Sequence, residues 1–293
     1  MQKLLCPILS LLFLLTACQS QASAPSPSPS PSADSSSKWF TEPRELDSGD
    51  AYQSSEYYLC NEVTGRHIYS VETRPTGLAE GEKVPVVIYT HGQSGYATNF
   101  SAIYTRLAEQ KIAAFSFECC GGNRSGAKSE GAKLFPAHYT SRMTDLETVL
   151  AKVKTLDYVD TDRIFLFGES YGGIVSSFVA IDHNEIPGLI LLSTGVDDSL
   201  LGREDGDETY LAEYDVEDPY EAIKAYKGDV ICFNGQEDFA HDFGKNQIEI
   251  YNQRESGSAV FYSLENSGHS FSALSPEAQE FLIQTMAEFV LAR

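Results

Sequence analysis

The sequence predicts an α/β fold, a mostly parallel, doubly wound sheet with helices on both faces, and three observations carry that prediction. From residue 84 onward, short apolar runs alternate with stretches whose apolar residues recur at helical spacing. The segment FLFGESYGG, residues 165–173, reads as a buried strand that turns through a glycine-flanked serine into a helix. Asp238 and His269, residue types suited to acid–base chemistry, each follow a predicted strand. The carboxyl ends of parallel strands are where such sheets bind ligands.

Ahead of this alternation, residues 56–61 and 67–72 pattern as two leading antiparallel strands. Strands are then predicted at 84–90, 112–117, 163–167, 188–192, 230–234 and 259–263, each short and rich in apolar residues. Helices are predicted at 100–109, 141–155, 171–181, 244–253 and 276–291. The polar stretch 195–221, rich in Asp, Glu and Tyr, falls between a strand and the next helix. It is the candidate for a small cap over the site, with a merely solvated connection as the equal alternative. There is no internal repeat, and the folded domain is expected over 41–293.

The first residues read as an address. Lys3 precedes an apolar run through Leu15 that is too short to span a bilayer comfortably and ends in small residues, as an export signal does. Residues 18–40 follow as a Ser/Pro-rich segment with four Pro-Ser repeats between Pro25 and Ser32, a composition unable to bury enough apolar surface to fold. In polyproline II geometry, at about 3.1 Å per residue, residues 19–38 within it would hold a domain up to roughly 60 Å from its anchor.

A formal net charge of −21 argues against nucleic acid as a partner and against electrostatic attraction to anionic lipid. No metal-ligand spacing appears among the cysteines, and no cofactor is expected. Cys232 lies in an apolar run and reads as a small buried hydrophobe. Cys60, Cys119 and Cys120 read as packing or loop residues, with a disulfide left open because an exported protein permits one.

The chemistry centres on Gly168-Glu169-Ser170-Tyr171-Gly172. The glycines permit a sharp turn and close neighbours, so the serine hydroxyl is presented above the sheet edge. Serine alone is a poor nucleophile and needs a base, and the base needs a carboxylate to orient it and to stabilise its cation. Downstream, Asp238 in NGQEDFAH and His269 in NSGHSF supply both. Asp197 and Asp198, after the 188–192 strand, are the competing acids, with Glu237 and Asp242 behind them. His241 shares a loop with the proposed acid, and His67, His138 and His183 lack a strand-end position.

The order Ser170, Asp238, His269 and its placement resemble the α/β-hydrolase fold over nearly the whole of 56–293. The resemblance implies an oxyanion hole from the backbone N–H groups of Gln93, in YTHGQSG, and Tyr171, with His91 holding the loop. The segments FSFECCGGNRSG, DLETVLAKVKTLDYVDTDRIFLFGESYGG and DVEDPYEAIKAYKGDVICFNGQED look like those of small feruloyl or cinnamoyl esterase-like hydrolases, a group that also takes in serine aminopeptidase-like sequences. That likeness implies an esterase acting on a small-molecule or glycan-linked ester. Glu169 and Tyr171 depart from the residues usual in those esterases, so acyl preference is not carried over. The elbow is also similar to that of prolyl-oligopeptidase-type peptidases, and a silent ligand-binding lipoprotein is the third reading. Finally, Leu15-Thr16-Ala17-Cys18 resembles a bacterial lipobox. This implies removal of residues 1–17 as a signal peptide, lipidation of Cys18 and a membrane-tethered, extracytoplasmic protein.

Overall fold

The computed structural model describes residues 38–121, 126–132, 139–196 and 218–293. Its strands are β1 (Arg44–Ser48), β2 (Tyr52–Asn61), β3 (Arg66–Pro75), β4 (Val84–Thr90), β5 (Ala113–Phe117), β6 (Val159–Glu169), β7 (Gly188–Leu192), β8 (Asp229–Gly235) and β9 (Ala259–Leu264). Its helices are α1 (Ser101–Ala108), α2 (Tyr139–Val153), α3 (Tyr171–Asp182), α4 (Pro219–Ile223), α5 (His241–Tyr251) and α6 (Pro276–Leu291). The strands form one sheet in the order β1-β2-β3-β5-β4-β6-β7-β8-β9. β1, β2 and β3 pair antiparallel, as do β3 and β5, and every pairing from β5 to β9 is parallel.

Both faces of the central sheet are covered, so every residue of β4 and of β7 is buried, as is β6 from Ile164 to its end. Period-two alternation then divides β6 between two cores. Ile164 and Leu166 pack with Leu146 and Val149 of α2 and with Val175 and Phe178 of α3. Phe165 and Phe167 face the other way, toward Ile103 of α1 and Leu282 and Met286 of α6. β4 lies between β5 and β6, so the chain leaves it first to one side and later returns on the other. The carboxyl ends of β4 and β6 therefore flank a crevice at the switch point, and both Gln93 and Ser170 follow those ends.

Several elements differ from the sequence expectation. β1 was not predicted: its residues, RELDS, are exposed throughout and give no apolar alternation, and it is held by pairing with β2. α4 was assigned to the polar connection; Asp218 caps it by accepting from Tyr220 N and Glu221 N, with Pro219 in the first turn. α5 begins at His241 rather than at Gly244. Cys60, Cys119, Cys120 and Cys232 are thiols rather than half-cystines. The predicted signal, Cys18 and the repeats lie outside the described residues, as do His138, Asp197, Asp198 and the 197–217 part of the candidate cap. Among the described residues no helix is long and apolar enough to cross a membrane.

The turn after β4 is pinned from within. His91 is fully buried; its Nε2 accepts from Cys119 N at 3.0 Å, which leaves the proton on Nδ1 to donate to Gly92 O at 2.6 Å. Arg142, itself buried, donates to His91 O at 3.1 Å and Gly121 O at 3.2 Å. Burial lowers the His91 pKa from 6.5 to about 3, the Arg142 charge pushing the same way against the Gly92 bond. The unfolded chain thus binds a proton in a range where the folded chain does not. The stability owed to neutral His91 is fully present above about pH 6.5 and is lost as pH falls toward 3. Chemical denaturation at a series of pH values should show wild type losing stability more steeply from pH ~6.5 to ~4 than His91→Gln, even though the variant is weaker at neutral pH. Parallel slopes would contradict this account of the turn.

Candidate active site

β6 ends at Glu169 and α3 starts at Tyr171, so the whole reversal falls on Ser170, which adopts φ 50°, ψ −122°. That region is costly for a residue with a Cβ, of order 1–3 kcal/mol, and persists only where neighbours fix it. Here Ser170 N donates to Leu192 O at 2.9 Å, while Ser170 O accepts from Gly173 N at 2.9 Å and from Thr194 Oγ1 at 2.7 Å. The flanking glycines are required by close approach. A Cβ on Gly172 would lie 2.1 Å from Thr90 O, and one on Gly168 2.5 Å from Gly172 O.

The histidine arrives from the opposite side of the crevice, on the loop after β9. His269 Nε2 is 2.9 Å from Ser170 Oγ and its Nδ1 is 2.7 Å from Asp238 Oδ1. A carboxylate can only accept, so Nδ1 carries the proton and Nε2 is the acceptor aimed at the serine hydroxyl. The loop is fixed on both sides of the ring's neighbour: Ser270 N donates to Ser193 Oγ at 2.9 Å and Phe271 N to Glu169 Oε1 at 3.1 Å. Phe239 stacks on the imidazole, with centroids 4.3 Å apart, although it is 74% exposed.

Asp238 sits in the turn after β8, its side chain withdrawn from solvent. Burial pushes its pKa up, but the His269 bond and the Ala240 N–H, with a smaller contribution from the Ser193 hydroxyl, outweigh it and hold the carboxyl below its ordinary value. It is therefore ionised wherever the fold is intact near neutral pH. Of the other carboxylates considered, Glu237 is exposed and Asp242 bonds His241 at 3.1 Å. His241 in turn reaches Ser263 Oγ, His67 bonds Glu130, and His183 lies between Glu147 and Glu185. None of these is joined to Ser170.

Gln93, Ser170, Tyr171 and His269 line one cavity of about 150 Å³, with Phe239 and Phe243 among its walls. The structure so brings together five of the residues singled out from the sequence, Asp238 standing behind His269; Cys18 is outside the described residues. Tyr171 is held by Tyr139, stacked at 4.1 Å, and by the Arg142 guanidinium 4.6 Å from its ring centroid. Sequence reading missed Arg142, Ser193, Thr194 and Phe239. Ser193 and Thr194 had a usable signal, since they follow β7 at the same sheet edge. Among the described residues no group of three or more His, Cys, Asp or Glu is placed to hold a metal ion.

Comparison with known proteins bears on this arrangement. A family model described as serine aminopeptidase, S33, matches residues 81–203. Est1E from Butyrivibrio proteoclasticus, solved with ferulic acid bound, superposes with a TM-score of 0.64 at 20% identity, covering 80% of this chain and 98% of that one. Acetyl xylan esterase 1 from Thermoanaerobacterium sp. gives a TM-score of 0.62 at 17% identity, covering 84% and 87%. Among curated proteins, dipeptidyl peptidase 8 of Mus musculus and of Homo sapiens is 26% identical over 142 residues, 46% of this chain, and the match spans only 16% of their length. Sheet order, helix layers and these superpositions together establish that the chain has the α/β-hydrolase fold.

Proposed function

We propose that this protein is a serine hydrolase that cleaves carboxylic esters through an acyl-enzyme. One observation carries the reading: His269 bridges Ser170 Oγ and the ionised Asp238 at 2.9 and 2.7 Å, in the tautomer that a base needs. Ser170 Oγ attacks the ester carbonyl as His269 Nε2 takes its proton, and the backbone N–H groups of Gln93 and Tyr171 receive the developing oxyanion. His269 then protonates the departing alcohol. Water, deprotonated by the same histidine, attacks the acyl-enzyme and releases the acid and free Ser170.

The ester reading draws support from the esterases with which the fold superposes, one of them holding ferulic acid. The amino-terminal sequence adds a location to the proposal: residues 1–17 as a signal, Cys18 as the lipidated anchor within a tether over 18–40, and a hydrolase domain over 41–293 on the extracytoplasmic face. A second reading, an exported serine peptidase, is favoured by the serine aminopeptidase match over residues 81–203 and by the partial likeness to dipeptidyl peptidase 8.

Hydrolysis of p-nitrophenyl butyrate, methyl ferulate and aminoacyl p-nitroanilides by the full-length protein separates the two. Turnover of the esters exceeding that of the anilides is expected. Asp238→Asn, which favours the wrong imidazole tautomer, should lower kcat by about 10⁴-fold with KM little changed. Preference for the anilides would move the protein to the peptidases, and an Asp238→Asn variant as active as wild type would remove Asp238 from the mechanism.

A further inference from the structure

On the other side of Gln93 from the serine cavity lies a second cavity of about 260 Å³, lined by Ser94, Asn99, Glu169, Ser270 and Ser272 among others. It is polar and adjoins the reacting centre at three points, because Glu169 precedes Ser170, Ser270 follows His269, and Gln93 borders both cavities. Two of its lining residues, Ser94 (φ 65°) and Ser270 (φ 76°), are non-glycine residues held in the left-handed region. Such strain at a pocket wall persists where the surroundings over-determine it, and it concentrates at ligand sites.

Glu169 is the feature the mechanism leaves unexplained. It is buried, with 6% relative exposure, yet among the described residues both hydrogen bonds to its carboxyl come from neutral donors, Tyr89 Oη at 2.8 Å and Phe271 N at 3.1 Å. No ion pair forms to it among the described residues. A carboxylate has room for about four hydrogen bonds, so this one retains acceptor capacity beside a cavity. Burying a charge without a counter-charge is expensive. A negative charge kept next to the nucleophile, on a protein whose net charge of −21 already draws cations, has a natural complement in a cation brought by the substrate.

We infer that the Glu169 cavity is a leaving-group subsite that receives a protonated amine, so that the preferred esters carry an ammonium group on the alcohol side of the scissile bond. This rests on the ester reading above. The acyl group then occupies the cavity walled by Phe239 and Phe243, and the amine-bearing alcohol departs from the Glu169 side once His269 has protonated its oxygen.

The test uses a matched pair: 2-(dimethylamino)ethyl butyrate, which carries one ammonium N–H at neutral pH, and 3-methylbutyl butyrate, the same shape without charge. The ratio of their kcat/KM values is internal to each protein and is insensitive to any general loss of activity. In wild type the charged ester is expected to be favoured by about tenfold or more, the scale of one charge-assisted hydrogen bond. The ratio should fall toward one in Glu169→Gln and also in Ser272→Lys, which places a positive charge at the same cavity. A ratio near one in wild type, or one preserved in both variants, would overturn the inference; the latter would trace the preference to the acidic surface at large. Should neither ester be turned over, the ester reading fails by itself. Saturation-transfer NMR with ethyldimethylammonium then decides the subsite, with binding expected in wild type and lost in Glu169→Gln, and absence of binding counting against it.

Discussion

The strained backbone at Ser170 is the constraint on which the rest of the site depends. A positive φ of 50° on a serine costs of order 1–3 kcal/mol, and hydrogen bonds from Ser170 N to Leu192 O and to Ser170 O from Gly173 N and Thr194 Oγ1 offset it at about 1 kcal/mol each. Those partners come from the end of β7, the loop after it and the first turn of α3, so the conformation holds only while the parallel sheet and the helix behind it are in register. The glycines follow from the same geometry: with Thr90 O where a Gly172 side chain would have to be, β4 and α3 touch backbone to backbone. This contact also sets the spacing between Gln93 and Ser170, since Gln93 leaves β4 only a few residues later.

A second layer of polar groups fixes the loops that meet over this turn, and it is buried throughout. His91, Arg142 and Asp145 are each at most 1% exposed. Asp145 accepts from Cys120 N at 2.7 Å and Asn61 Nδ2 at 2.7 Å; burial nonetheless raises its pKa to about 6, against the pull of those donors and of the Arg142 charge. Buried networks of this kind add specificity rather than much net stability, because desolvation cancels most of what the bonds contribute. Their product here is geometric: the turn after β4, the carbonyl of Gly121 and the ring of Tyr171 share one guanidinium as support.

Much of this was legible in the sequence for identifiable reasons. β4, β7 and the second half of β6 lie between helices and so are written as apolar runs, and Ser170, Asp238 and His269 sit just beyond the ends of β6, β8 and β9, where only a few positions compete. The structure brings those residues into hydrogen-bond contact. The supporting residues were not legible. Arg142 falls in an amphipathic pattern where a basic residue reads as solvated; it is buried because two carbonyls distant in sequence, His91 O and Gly121 O, converge on it. Glu169 likewise reads as one variable position of a motif, and only tertiary structure shows that it faces a cavity. β1 escaped notice because an exposed edge strand carries no burial pattern at all.

The central claim is that Ser170 is made nucleophilic by its own strained presentation and by His269, and covalent labelling tests it most directly. The full-length protein would be treated with an alkyl fluorophosphonate at neutral pH and the adduct located by peptide mass mapping. The account predicts one adduct per chain, on Ser170, absent from Ser170→Ala and formed far more slowly in His269→Ala. Labelling that fails in wild type, falls on another residue, or proceeds as fast without His269 would contradict it.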